Sequence, residues 1–110
     1  MKLTTHVLDI STGTPASSIA LALHRIDGET VTRLAGATTN ADGRCDAPLA
    51  EALEPGCYQL TFTVAPYFAR NAVAAFYDEI TVRFRIDDPE RDYHVPLLLG
   101  PWGYTTYRGS

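Results

Sequence analysis

The stretch CYQLTFTV, residues 57–64, decides the fold class of this 110-residue chain. Its apolar and polar side chains alternate with a period of two, which is typical of a β-strand that is buried on one face only. The polar face carries Gln59, Thr61 and Thr63, and the opposite face carries Tyr58, Leu60, Phe62 and Val64. The stretch ITVRFRID, residues 80–87, repeats the pattern. Both stretches are therefore predicted to be strands with one face against the core.

Turn signals separate further strand-like stretches on either side. Asp27-Gly28 is a hairpin signal between SIALALHRI (residues 18–26) and TVTRLAGATT (residues 30–39), and Asp42-Gly43 and Pro55-Gly56 mark two more turns. YHVPLLLG (residues 93–100) and PWGYTTYRG (residues 101–109) are predicted to be the last two strands, parted by Gly100-Pro101. The alanine-rich stretch after Pro66 favours one short helix. Seven or eight strands and one helix indicate an all-β fold, a sandwich with Greek-key-like connections.

The composition is that of an ordinary globular chain, and its length predicts a single domain over residues 1–110. The net charge is −4 and Lys2 is the only lysine, so we expect no nucleic-acid partner. No apolar run approaches the length of a membrane span, and residues 1–10 lack the apolar segment of a signal peptide, so we expect a cytoplasmic protein without a membrane partner. Cys45 and Cys57 have no partner at metal-binding spacing and are predicted to be free thiols.

Two histidines lie among apolar neighbours on strand-like stretches. His94 shares its face with Pro96 and Leu98, and His6 shares its face with Leu8 and Ile10. An apolar outer face of a sheet usually meets another subunit, so His94 is predicted to lie in a partly dry place covered by a second copy. Considered alone, each histidine is expected to be an ordinary structural residue with a hydrogen-bond partner, or a surface residue. Periodicity and composition therefore predict an oligomeric β-protein without assigning an activity.

Several motifs together resemble the transthyretin family. They are HVLDISTGTPASSIAL (residues 6–21), NADGRC (residues 40–45), and YHVPLLLGPWGYTTYRGS (residues 93–110). Within that family, the 5-hydroxyisourate hydrolase branch has a histidine in the first strand, an arginine after the central Asp-Gly turn, a histidine in the penultimate strand and a closing Tyr-Arg-Gly-Ser. In this chain the matching residues are His6, Arg44, His94 and residues 107–110. The resemblance implies a transthyretin-like sandwich of two four-stranded sheets with one short helix, assembled as a homotetramer that is a dimer of dimers.

The same resemblance implies a hydrolase that opens the ring of 5-hydroxyisourate to give 2-oxo-4-hydroxy-4-carboxy-5-ureidoimidazoline in urate degradation. His6 and His94 are then a general base and its orienting partner, in an order left open, and Arg44 stabilises the oxyanion. The C-terminal residues Tyr107, Arg108 and Ser110 contact the substrate, with Ser110 also catalytic, and no metal or other cofactor is implied. Two alternatives stay open, namely a carrier that binds an aromatic ligand in a central channel and a purely structural domain.

Overall fold

The computed structural model describes residues 1–110 and contains eight strands and one helix. In chain order these are β1 (Leu3–Asp9), β2 (Thr14–Pro15), β3 (Ala20–Asp27), β4 (Thr30–Thr38), β5 (Gly56–Thr63), α1 (Ala65–Arg70), β6 (Glu79–Ile86), β7 (Tyr93–Leu99) and β8 (Tyr104–Thr106). The helix has six residues, and no helix of the structure is long and apolar enough to cross a lipid bilayer.

The strands form two four-stranded sheets. The first sheet has the order β2-β1-β7-β8 and the second has the order β4-β3-β5-β6. Pairing is antiparallel except between β1 and β7, which run parallel. The inner faces meet in one cluster of 19 buried side chains, and Tyr58, Leu60, Phe62 and Val64 of the opening stretch are all fully buried in it. The predicted all-β fold, with two four-stranded sheets and one short helix, is confirmed.

Two element boundaries differ from the prediction. The predicted last strand, residues 101–109, shrinks to β8, because a turn closed by the bond from the Gly100 amide to the Gly103 carbonyl takes up Trp102. The helix ends at Arg70, and Asn71 caps it by donating from its side chain to the Tyr67 carbonyl at 2.8 Å. The alanine-rich stretch after Asn71 is therefore loop, which shows that alanine content alone does not extend a helix past its cap.

A buried polar contact fixes the helix against the first sheet. The Tyr67 hydroxyl donates to Oδ2 of Asp9 at 2.8 Å, and Ser11 donates to Oδ1 of Asp9 through both its amide and its hydroxyl. Burial alone would raise the pKa of Asp9, but the hydrogen bonds from Ser11, Tyr67 and the Thr12 amide outweigh it and hold that pKa below its ordinary value. The end of β1 is thus tied to the segment that follows β5.

Candidate functional site

The parallel pairing of β1 with β7 brings the two predicted histidines onto one face of the first sheet. Thr4 lies opposite His94 and His6 lies opposite Pro96, so the histidines are diagonal neighbours on adjacent strands. Both side chains are half-buried on the outer face of the sheet. The residues that come directly before and after each histidine in β1 and β7 have buried side chains on the opposite face, towards the core. The Thr4 hydroxyl lies 2.9 Å from Nδ1 of His94 and fixes the orientation of that ring.

The turn after β4 carries Arg44 to the other edge of β1. Arg44 forms an isolated antiparallel bridge with His6, and the Val7 amide donates to the Gly43 carbonyl at 2.8 Å. Oδ1 of Asn40 accepts from the amides of Asp42 and Arg44, which closes the turn from inside. Gly43 has φ +72°, and a Cβ there would collide with the Val7 carbonyl oxygen. Only glycine allows the turn to approach β1 this closely.

The C-terminal segment closes on His94 from the opposite side. Gly109 pairs with His94 as an isolated bridge, and its amide donates to the His94 carbonyl at 2.7 Å. A Cβ on Gly109 would lie 2.5 Å from Cδ2 of His94, so the backbone rests directly against the imidazole. The segment is therefore folded against the site, and Ser110 follows immediately.

A cavity of about 380 Å³ lies where these segments meet. All seven of its lining residues carry hydrogen-bonding or charged side chains, namely Lys2, Thr4, Arg44, Asp92, Tyr93, His94 and Ser110. His6 does not line the cavity, but it is close enough to His94 to act on its charge state and it pairs with Arg44. The cavity offers a guanidinium, an imidazole and hydroxyl groups to a small polar molecule.

The surroundings of the His94 imidazole favour its neutral form. Burial, the Arg44 guanidinium and His6 together lower the pKa of His94 below the ordinary value of 6.5, and a hydrogen bond with Thr4 opposes them only in part. A neutral imidazole at neutral pH can accept a proton, which is what a general base must do. The direction of this shift is the one that a partly dry, cationic site predicts.

Tyr107 and Arg108 lie in an adjoining cavity of about 390 Å³, on the side of β6 and the loop that follows it. Tyr93 lines both cavities. The Arg108 guanidinium lies 5.1 Å from the centre of the Tyr93 ring and donates to the carbonyls of Gly109 and Asp92, at 2.9 and 3.1 Å. Within the chain, Arg108 thus holds the terminal segment in place and does not face the cavity of His94.

Four lining residues were missed at the sequence level: Lys2, Thr4, Asp92 and Tyr93. Lys2, Thr4 and Asp92 have the parity of a predicted histidine, because Lys2 and Thr4 alternate with His6 and Asp92 precedes His94 by two positions, whereas Tyr93 has the opposite parity. That parity was an available signal. Parity alone does not show that Thr4 contacts His94. That contact depends on the pairing of two residues that are 90 positions apart in the sequence.

This chain is similar in sequence and fold to known proteins over nearly its whole length. The sequence model of the HIUase/Transthyretin family matches residues 3–109. The 5-hydroxyisourate hydrolase of Deinococcus radiodurans is 50% identical over 98% of this chain and 95% of its own length. The solved 5-hydroxyisourate hydrolase of Klebsiella pneumoniae is 40% identical with a TM-score of 0.86, and all of both chains is covered.

Other solved structures share the fold in a different context. Sea bream transthyretin in complex with thyroxine has a TM-score of 0.91 at 28% identity, covering 99% of this chain and 95% of that one. An (S)-allantoin synthase has a TM-score of 0.92 at 40% identity over 99% of this chain, but this chain spans only 43% of the length of that protein. The predicted transthyretin-like architecture is thereby confirmed.

Proposed function

The chain belongs to the HIUase/Transthyretin family, and from this premise we propose that it hydrolyses 5-hydroxyisourate. The product is 2-oxo-4-hydroxy-4-carboxy-5-ureidoimidazoline. The observation that carries the proposal is the shared cavity of Arg44, His94 and Ser110, in which the pKa of His94 is lowered. The predicted histidine in the first strand, His6, completes the group through its bridge to Arg44.

His94 is the general base in this proposal, and His6 is a positioning residue. His94 lines the cavity and has a lowered pKa, whereas His6 stands behind Arg44. When Nδ1 of His94 donates its proton to the Thr4 hydroxyl, Nε2 is left with a free lone pair for water. Thr4 thereby selects the tautomer that a base needs.

The reaction requires one bond to form and one to break. The water oxygen bonds to a ring carbonyl carbon as His94 takes its proton, and Arg44 stabilises the negative charge that develops on the carbonyl oxygen. The ring C–N bond then breaks, and the nitrogen takes up the proton from His94. The carbonyl carbon becomes a carboxylic acid, which releases its remaining proton to solvent as the new carboxylate, and the released nitrogen becomes part of the ureido group.

Two of the terminal residues have different roles in this proposal, since Ser110 binds the substrate and Arg108 shapes the cavity. Ser110 lines the cavity and supplies a hydroxyl to substrate or water. Arg108 acts in this proposal by seating Gly109 against His94, since its guanidinium is bonded to the Gly109 and Asp92 carbonyls. The predicted contact of Tyr107 with substrate stays a prediction, because this side chain lines the adjoining cavity.

We also propose a cytoplasmic homotetramer built from a single domain. One buried cluster with members from both sheets supports a single domain.

Two features support self-association. The outer strands β6 and β8 have no neighbour on one edge, and the side chains of Phe76 and Trp102 are 70% and 69% exposed. Light scattering coupled to size-exclusion chromatography at several concentrations tests the tetramer, and a monomer throughout would contradict it.

The test of the function is loss of absorbance of freshly generated 5-hydroxyisourate in the presence of the protein. The Arg44→Ala variant is expected to lose about 10²- to 10³-fold in kcat/KM, because one stabilising group at a developing oxyanion has an effect of that order. Arg33→Gln, which removes one arginine charge from the second sheet, is the control and should retain activity. An inactive wild type, or an Arg44→Ala variant as active as Arg33→Gln, would contradict the proposal.

The carrier alternative is favoured by the likeness to sea bream transthyretin, whose structure holds thyroxine. The polar cavity described here speaks against an apolar aromatic ligand, since burying a guanidinium and an imidazole without polar partners is costly. Calorimetric titration with an iodinated phenol separates the two functions. Tight binding without turnover of 5-hydroxyisourate would favour the carrier.

A further inference from the structure

A second polar cavity, of about 380 Å³, lies on the outer face of the second sheet. Its floor is formed by Ala20 and Ala22 of β3, and Thr61 and Thr63 of β5 line one side. Small floor residues beside larger polar ones leave a depression in a sheet face that is otherwise covered by side chains. Nothing in the proposed hydrolase reaction uses this depression, because none of these residues lines the cavity of His94.

Arg33 of β4 lies beside this cavity with its charge unpaired. Both ion pairs of the chain involve Arg25, and Arg33 makes no hydrogen bond to any other side chain or carbonyl. A Cβ on Gly36 would collide with Nη2 of Arg33, so this nitrogen of the guanidinium lies close against the backbone of Gly36. Glycine at this position therefore leaves room for the side chain of Arg33 to lie along the sheet beside the cavity, where it stays exposed to solvent.

The neighbouring arginine of the same face provides a contrast. His24 lies opposite Arg33 on β4 and Gln59 on β5, and Gln59 lies opposite Arg83 on β6. Arg83 donates twice to Oε1 of Gln59, at 2.9 and 3.2 Å, so that guanidinium already has an acceptor. Arg33 has none, and it is the one of the two that lines the cavity.

His24 adds a donor between these groups. Its Nδ1 is buried without a hydrogen-bond partner. A buried N–H without an acceptor is costlier than a buried lone pair without a donor, which favours the tautomer with its N–H at Nε2. The lining therefore combines a guanidinium fork, an imidazole N–H and two threonine hydroxyls, all of which can donate hydrogen bonds.

We propose that this cavity binds a small oxyanion, a phosphate or carboxylate group, between Arg33 and the hydroxyls of Thr61 and Thr63. The planar guanidinium suits such a group because it can donate two parallel hydrogen bonds to two of its oxygens. Glu79 lines the same cavity and repels additional negative charge. The site thus favours an anion of low charge and small size over an extended polyanion.

Backbone amide NMR of the 15N-labelled protein, titrated separately with inorganic phosphate and with acetate, tests the proposal. We expect saturable shifts confined to the amides of residues 20–24, 33–36 and 61–63. The phosphate and acetate titrations identify which oxyanion binds more tightly. The spectrum of each variant reports at the same time whether the protein is folded.

Three variants separate a built site from general attraction of anions. Arg33→Gln should weaken binding by about tenfold or more, since a charge-assisted hydrogen bond contributes on this order. Gly36→Ala keeps the charge but displaces the guanidinium, and it should also weaken binding. Arg83→Gln removes the same charge from the same face and should bind as the wild type does. Absence of saturable binding of both anions, or equal weakening by Arg33→Gln and Arg83→Gln, would overturn the proposal.

Discussion

The outer face of the first sheet carries His6 and His94 and that of the second carries His24, and the neighbours of His94 and His24 have different origins. His24 lies between residues of adjoining strands, Arg33 and Gln59, which regular pairing places beside it. His94 has Thr4 from the adjoining strand on one side, but on the other it has Gly109, which lies beyond the end of β8 and is held by a single isolated bridge. Arg44 reaches the site of His94 by a similar isolated bridge to His6.

This difference indicates which kind of mutation, in a side chain or in the backbone, should most affect each face. A face built by regular strand pairing depends mainly on its side chains, since the ladder itself is supported by many bonds. The face of the first sheet also depends on the exact approach of a turn and of the terminal segment, each attached through few hydrogen bonds. Changes to the backbone in those two segments should therefore affect function far more than similar changes in the turns of the second sheet.

Replacing the histidines themselves should give the largest contrast. His94→Gln is expected to lower kcat/KM for 5-hydroxyisourate by about 10²- to 10⁴-fold, because a general base contributes on this order. His24→Gln keeps the polar outer face of the second sheet and should leave turnover within about twofold, since His24 is not a lining residue of the site. The spectroscopic assay checks both, and equal losses would mean that the faces do not differ in function.

Glycine replacements in two turns test the backbone argument. Gly43→Ala should lower the free energy of unfolding by about 2–4 kcal/mol, because it combines a positive φ with a collision against the Val7 carbonyl oxygen. Gly28→Ala in the β3–β4 hairpin also has a positive φ, of +59°, but has open space around its Cβ and should cost about 1–2 kcal/mol. Urea denaturation measures both, and similar losses would remove the special role of the first turn.

The terminal segment can be tested without removing any functional group. Gly109→Ala is expected to lower kcat/KM by about tenfold while the protein stays folded. The added methyl group would collide with the His94 ring and push it out of its catalytic position. Gly103→Ala, in the turn before β8, has nothing within 4 Å of its Cβ and serves as the control. Unchanged turnover in Gly109→Ala would separate the terminal segment from the positioning of His94.

The pH dependence of turnover probes the charges around His94. Since the pKa of His94 is lowered from 6.5, the acid limb of the kcat/KM profile should fall below pH 6.5, where protonation removes the base. Removing the positive charge in Arg44→Gln should move this limb to higher pH, because the Arg44 guanidinium is one cause of the lowering. Arg33→Gln should leave the limb in place. A profile with no acid limb down to the pH at which the protein unfolds would contradict a histidine base.

The smallest effect concerns the contact that ties the helix to the first sheet. Tyr67→Phe removes a donor to Asp9 and should cost about 1 kcal/mol of unfolding free energy at pH 7. Asp9 has a lowered pKa, so its contribution is present above the ordinary value of 3.8 and is lost as pH falls through the pKa of the folded state. The difference between wild type and variant should therefore shrink in acid. Tyr77→Phe is the control, and a difference independent of pH would contradict the role of Asp9.

Much of the architecture follows from local patterns in the sequence. The burial of Tyr58, Leu60 and Phe62 and the hairpin at Asp27-Gly28 follow from alternation and turn chemistry, which act over a few residues. The site itself was found through motif resemblance, whereas its geometry depends on distant pairings. Thr4 lies beside His94, and Arg108 points towards Tyr93. Both arrangements depend on contacts between distant residues, which the local periodicity of the sequence cannot predict.

The parallel pairing of β1 with β7 has a consequence for how the molecule reaches its working form. It joins residues about ninety positions apart, as the contact between Thr4 and His94 does, so forming it requires closing one of the longest loops available to the chain. Contacts of such high sequence separation form slowly and only after most of the chain has been made. Recovery of turnover during refolding therefore measures the arrival of the last long-range contacts, whereas circular dichroism also detects the local hairpin of β3 and β4.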